Sequence, residues 1–112
     1  MAIQRLEKDQ WEAFFNRVSM HLGKQAQILI TGEDIGAQTI NVLDRWLPLQ
    51  GLSYDPKNDE FEVLVENFDH LVFHPQAIYV EQEGLNLKSL EVVQRDGRKR
   101  IITLKDPLAL PA

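Results

Sequence analysis

The sequence predicts an α+β fold, in which an N-terminal helix packs on a curled, mainly antiparallel sheet, or on a small partly open barrel, of about six short strands. Three observations carry this expectation. An apolar period of 3.6 residues appears once, near the N-terminus, and gives way to period-two alternation through most of the remainder. The connections between the alternating runs are short, whereas a parallel crossover needs about a dozen residues or more. The chain has 112 residues, 44% hydrophobic and 26% charged, which is the size and balance of one globular domain, expected to span 1–112.

The helix is predicted from about Gln10 to Leu22. Trp11, Phe14, Phe15, Val18 and Leu22 fall on one helical face, and Glu12, Asn16, Arg17 and Ser19 on the other. Asp9 stands where an N-cap is expected, with Glu12 three residues on to complete a capping box. Gly23 suits the position after the helix, and Lys24 the negative end of the dipole.

Ala26, Ile28 and Ile30 then alternate with Gln25, Gln27 and Leu29, predicting a strand that breaks at Thr31-Gly32-Glu33-Asp34. A second extended run lies within Gln38–Leu49, with Ile40 and Val42 on one side. Pro48 cannot donate to a ladder and marks an edge or a bulge. Leu52-Ser53-Tyr54 continues extended. Asp55-Pro56-Lys57-Asn58-Asp59 reads as a turn, with Asp55 accepting from backbone amides and Asn58 tolerating the left-handed region. In the strand Glu60–Glu66, Phe61, Val63 and Val65 face one way and the glutamates the other. Asn67 to Pro75 breaks the pattern, and Ile78-Tyr79-Val80 resumes it. Ser89–Gln94 and Lys99–Leu104 flank Arg95-Asp96-Gly97-Arg98, and Asp-Gly between apolar runs is a strong hairpin signal. The prolines of the tail, 106–112, keep it extended.

Composition narrows the chemistry. With no cysteine, disulfides, thiolate metal sites and thiol nucleophiles are excluded. Twelve Lys+Arg against seventeen Asp+Glu give a net charge of −5, which argues against general nucleic-acid binding, because counterion release needs a cationic face. No apolar run approaches the ~20 residues of a spanning helix, and the N-terminus lacks an apolar signal core. A cytoplasmic location, no membrane contact and no cofactor are therefore expected.

The segments Leu6-Glu7-Lys8-Asp9-Gln10-Trp11, Trp46-Leu47-Pro48-Leu49, Gly51-Leu52-Ser53-Tyr54-Asp55-Pro56-Lys57, His74-Pro75-Gln76-Ala77-Ile78-Tyr79-Val80 and Asp106-Pro107-Leu108 together resemble a family of small bacterial proteins catalogued as a domain of unknown function. The resemblance spans nearly the whole chain. It implies a bacterial single-domain protein and carries no assigned activity or functional residue, so candidate sites rest on the residues alone.

Three clusters carry possible chemistry. Asp69, His70 and His74 form the first. His-x-x-x-His on a helix sets two imidazoles on one face for a metal or for acid–base work, with His21 as a third ligand if the fold brings it near. Against this, His74 precedes a proline, which disfavours helix, and no glutamate follows His70. The plainer reading is a loop whose histidines bond to backbone or solvent. The second cluster is Asp55, Asn58, Asp59, Glu60 and Glu62. It lacks the order of a calcium loop, and the carboxylate pair Glu60 and Glu62 is what any solvent-facing strand with alternating glutamates presents.

Arg95, Arg98, Lys99 and Arg100 form the third. With Lys105 and against Asp96 they give residues 95–105 a local charge of +4, while residues 55–83 carry −7. An anion or RNA backbone could bind there, although no aromatic residue interleaves the cluster as a stacking platform. A solvated turn that protects a sheet edge is the simpler account. The opposite charges also suggest self-association, or neutralisation within one fold.

Thr31-Gly32-Glu33-Asp34-Ile35-Gly36 lacks the ending of a phosphate loop, and Ser19, Ser53 and Ser89 sit in no nucleophile context. Trp11, Phe14 and Phe15 read as core. Trp46 and Tyr54 could rim a shallow pocket, with core packing the better reading. The expected function is therefore a non-enzymatic binding or interaction module with a protein partner or a second copy. The alternatives are a small enzyme centred on Asp69, His70 and His74, and anion or RNA binding at the hairpin.

Overall fold

The computed structural model describes residues 2–20, 22, 27–33, 39–41, 46–66 and 68–109. The elements run β1 (Ala2–Leu6), a 3-10 turn (Lys8–Gln10), α1 (Trp11–Met20), β2 (Gln27–Glu33), β3 (Thr39–Asn41), β4 (Leu47–Asp55), β5 (Glu60–Val65), β6 (Phe68–Phe73), β7 (Pro75–Glu83), β8 (Asn86–Gln94) and β9 (Lys99–Ala109). The strands form one sheet in the order β1-β7-β8-β9-β2-β4-β5-β6, with β3 beside β2. Every pairing among them is antiparallel. The path ends at β1 and β6, so the sheet is not closed into a barrel. One short helix on a large antiparallel sheet is the α+β arrangement expected. The strand number is not: nine strands are described, against about six.

The helix follows its apolar face. Trp11, Phe14, Phe15 and Val18 are buried, and Leu22 packs against the same core from beyond the last helical residue described. The start differs from expectation. Asp9 lies inside the 3-10 turn, the residue preceding that turn is Glu7, and no side chain caps it. The first bond runs from the Gln10 amide to the Glu7 carbonyl at 2.9 Å, so backbone does the work assigned to a capping box. Gly23 and Lys24 lie outside the described residues, as do His21, Ala26 and Val42.

The helix is fixed to the sheet by rings and by one hydroxyl. Trp11 meets Tyr54 edge-on at 5.0 Å between centroids, and Phe15 meets Phe61 at 4.9 Å. The Trp11 Nε1–H donates to the Leu6 carbonyl at 3.1 Å, tying helix to β1. Ser19 Oγ accepts the Leu52 amide at 3.0 Å and donates to the Leu52 carbonyl. Leu52 lies just past a register shift between Leu49 and Gly51, so the bulge anticipated near Pro48 falls at Gln50, two residues later. From the sheet, Ile28, Ile30, Leu52, Phe61, Val63, Val72, Ile78, Val80, Leu90, Val92 and Ile102 fill the other side of the core.

Four strand expectations are corrected. β1 is an additional strand, held by its pairing with β7. The break at Thr31-Gly32-Glu33 is strand, because β9 on one side and β3 on the other bind its backbone whatever its side chains. Residues 68–73 form β6, whose alternation is hidden because both faces carry apolar residues. β7, β8 and β9 each extend well beyond the predicted cores, with β9 running through Pro107. The hairpin at Asp96-Gly97 forms as expected: Gly97 has φ +91°, the Gln94 amide donates to the Arg98 carbonyl at 2.8 Å, and Asp96 Oδ1 accepts the Arg98 amide at 3.0 Å.

Candidate functional site

The polar chemistry of the described residues gathers at one corner of the sheet, where β6 turns into β7 beside the β8–β9 hairpin. Two non-glycine residues there, Asp59 (φ +51°) and His74 (φ +54°), occupy the left-handed region. The expected left-handed residue of the Asp55 turn is thus Asp59 and not Asn58. Asn58 instead gives its amide to Asp55 Oδ2 at 2.8 Å, while Asp55 Oδ1 accepts the Lys57 amide at 2.9 Å. Asp and His adopt this region more readily than most residues, at a cost of about 1–3 kcal/mol each. The two strained residues face each other across the β5–β6 ladder, the His74 amide donating to the Asp59 carbonyl at 2.9 Å.

Their side chains meet as well. Asp59 Oδ2 lies 3.3 Å from His74 Nδ1, and Asp59 Oδ1 accepts the Tyr54 hydroxyl at 2.7 Å with Lys8 Nζ at 3.7 Å. The Tyr54 bond, more than any other contact, holds the Asp59 carboxyl below its ordinary range. Burial and the same bond push Tyr54 up to about 12. Tyr54 belongs to the core by its ring and to this corner by its hydroxyl, which joins the site to Trp11 and the helix. His74 is committed through Nδ1, so Nε2 is the ring nitrogen left for a ligand.

The hairpin closes the corner. The Arg95 amide donates to the His74 carbonyl at 3.2 Å, and Gln94 Nε2 to the Phe73 carbonyl at 3.4 Å. An open cleft of about 300 Å³ results, lined by Phe73, His74, Gln94, Arg95 and Asp96.

The three sequence clusters are redistributed. Residues 68–73 are a strand, where the rise is about 3.3 Å per residue, so positions four apart lie roughly 13 Å along an extended chain and not one helical turn. Asp69 and His70 project from opposite faces of β6, and His74 stands beyond its end. Asp69, His70 and His74 are therefore not brought together, and no group of three or more His, Asp or Glu side chains gathers as metal ligands among the described residues. His70 stacks on Phe68 at 5.9 Å, and its Nε2 is buried without a hydrogen-bond partner among the described residues. Burial, and then the nearby Arg100 charge, push its pKa down.

The basic cluster is split by strand alternation. Arg98 Nε lies 3.4 Å from Asp96 Oδ2, and Lys99 Nζ lies 3.6 Å from Glu91 Oε1 on β8. Arg100 shares the face of Ile102 and Leu104 and donates to the Lys99 carbonyl at 3.1 Å. Arg95 is the member that reaches the cleft. Sequence reasoning thus named His74, Arg95 and Asp59 in three separate clusters, and the fold brings them to one corner. Phe73 and Gln94 were missed. No local pattern marks them, because their place depends on the meeting of two strand ends.

A second feature lies on β5 and β6. Leu64, Phe68, Leu71 and Phe73 make up half of the eight large apolar side chains exposed among the described residues. On the outer face, Glu62 stands opposite Leu71 and Leu64 opposite Asp69, so the carboxyls and the leucines occupy crossed diagonals. Hydrogen bonding to Asp69, followed by burial, pushes the Glu62 carboxyl above its usual range. β6 also ends the strand order among the described residues. The His74–Asp59 bond sets the alternation, directing the amides and carbonyls of Phe68, His70 and Val72 towards β5 and those of Asp69 and Leu71 away from it.

Comparison with known proteins follows the whole chain. An uncharacterized protein of Aquifex aeolicus (strain VF5) is 40% identical over 113 residues, covering 99% of this chain and 99% of its own. No solved structure matches. No helix among the described residues is long and apolar enough to cross a membrane. Residues 2–112 match the family described as a family of unknown function (DUF5335), and the chain belongs to that family.

Proposed function

We propose that the protein is a non-enzymatic interaction module that assembles through the free edge of β6, with a second copy of the chain as its partner. One observation carries the reading. β6 is the last strand of the described path, and it exposes apolar side chains on both faces: Phe68 (41% exposed) on one, Leu71 (37%) and Phe73 (50%) on the other. Free edges in natural sheets are usually blunted by charge, proline or a bulge, and an apolar edge is a surface for another strand. Antiparallel self-pairing about a two-fold axis can set Leu71 of one copy against Phe73 of the other, twice.

Charge supports this edge over the alternative contact between the acidic segment and the basic hairpin. Lys99 and Arg98 already lie against Glu91 and Asp96 within one chain. Sedimentation velocity on the wild-type chain tests the reading. A dimer that persists in high salt is expected, because apolar burial is not screened. Leu71→Pro is the sharpest variant, since its amide points away from β5 and the change removes only the outward donor. Leu71→Pro and Leu71→Asp should both sediment as monomer with little change in melting temperature. A monomer at every concentration overturns the proposal. A dimer that dissolves as salt rises and survives both substitutions places the contact on the charged segments instead.

A further inference from the structure

We infer that the corner cleft binds a small oxyanion carried on an apolar body, such as an aryl phosphate or an aryl carboxylate. The cleft shares Phe73 with the proposed β6 edge, while its polar lining, His74, Gln94, Arg95 and Asp96, lies outside that strand. Two nitrogen-bearing side chains from different elements, His74 and Arg95, line one cleft of about 300 Å³. The guanidinium is always charged and offers a planar fork that matches two oxygens of a carboxylate or phosphate. The imidazole Nδ1–H donates to Asp59 at 3.3 Å, which sets the ring's orientation before a ligand arrives, and Nε2 donates to an oxyanion when the ring carries its second proton.

The carboxylates near the cleft are engaged elsewhere. Asp96 accepts the Arg98 amide through Oδ1, with Arg98 Nε 3.4 Å from Oδ2. Asp59 is divided among Tyr54, Lys8 and His74. Asp96 lines the cleft and Asp59 stands behind His74, and the charge of each is offset by close partners. Phe73 supplies an aromatic wall that is half exposed, and Gln94 is tied to the Phe73 carbonyl at 3.4 Å. An apolar body against that ring, with an oxyanion on Arg95 and on the doubly protonated His74 ring, matches this lining. The lining residues include no hydroxyl or thiol.

The test is an NMR titration of the full chain with inorganic phosphate, phenyl phosphate and benzoate, following the amides of residues 73–74 and 94–96. Saturable shifts at these positions are expected, with an aryl probe about tenfold tighter than inorganic phosphate. Whether phenyl phosphate or benzoate is preferred distinguishes the two headgroups. Arg95→Ala should weaken binding about tenfold or more, and His74→Gln by less, because the amide retains a donor. Lys105→Ala, a loss of charge in the same segment outside the cleft, should leave affinity unchanged. Absence of saturable shifts with all three probes overturns the inference, as does equal weakening by Arg95→Ala and Lys105→Ala. Both cleft variants should keep the sedimentation behaviour of the wild type, so failure here and failure of β6 pairing are read separately.

Discussion

The helix–β4–β5 region and the β6–β7 corner are held by different physics, although Tyr54 belongs to both. In the first, Trp11, Phe15, Tyr54 and Phe61 interlock edge to face, and backbone departures such as the bulge at Leu49–Gly51 are sealed by Ser19. In the second, two left-handed residues are fixed by a carboxylate with three partners, and the ring beside them is half exposed. Close packing gives the first region its stability. The corner carries strain and exposure that only its polar contacts justify, which is the usual character of a site as opposed to a support.

The largest test of this contrast is Phe15→Ala. Phe15 is completely buried, and its loss should cost about 3–5 kcal/mol in denaturant unfolding. Phe14→Ala should cost less. Its ring lines an open groove with Gln4, Ala13 and Arg17, so water can refill the space. Equal losses would mean that the groove is part of the sealed core.

Tyr54→Phe tests the link between the regions. It keeps the ring against Trp11 and removes only the hydroxyl donor to Asp59, at a cost of about 1–2 kcal/mol. Asp59 is held below its ordinary value largely by that bond. Its stabilisation is therefore present at neutral pH and lost as pH falls through the folded-state value, and in Tyr54→Phe the acid limb of the stability profile should become shallower. An unchanged acid limb would show that the Tyr54 bond does not tune Asp59.

The smallest expected effect concerns His70. Its folded-state pKa is pushed down, so between that value and the ordinary value of 6.5 the unfolded chain binds more protons than the folded one. Stability should fall as pH drops below 6.5. His70→Leu should remove this decline while leaving the Asp59 limb at lower pH in place. A decline that persists in His70→Leu would assign it to other groups.

Much of the fold was legible because it depends on local pattern. The helical face from Trp11 to Val18, the alternation of Phe61, Val63 and Val65, and the Asp96-Gly97 turn each announce themselves within about ten residues. What was hidden depends on partners. β6 carries apolar residues on both faces, so alternation gives no sign of a strand. β1 has its place only because β7 accepts it, more than seventy positions away in the chain. The site was legible as residue types but not as a constellation. His74 was read by helical spacing, which a strand does not obey, and Arg95 as one of a cluster that alternation then divided. Asp59 was read as a turn residue and a member of the acidic cluster, because nothing local shows that Tyr54 bonds to it.

The position of β9 bears on how the molecule is made. β9 lies between β8 and β2, so it alone joins the β1-β7-β8 group to the β2-β4-β5-β6 group along the described path. Both groups emerge from the ribosome before it, each with one edge waiting. Pairings this distant in sequence are slow to form because loop closure precedes their reward. β9, synthesised after both groups, is therefore the strand that commits the described sheet. Until it inserts, the edges of β8 and β2 that it will cover stay open to chaperones and to neighbouring chains.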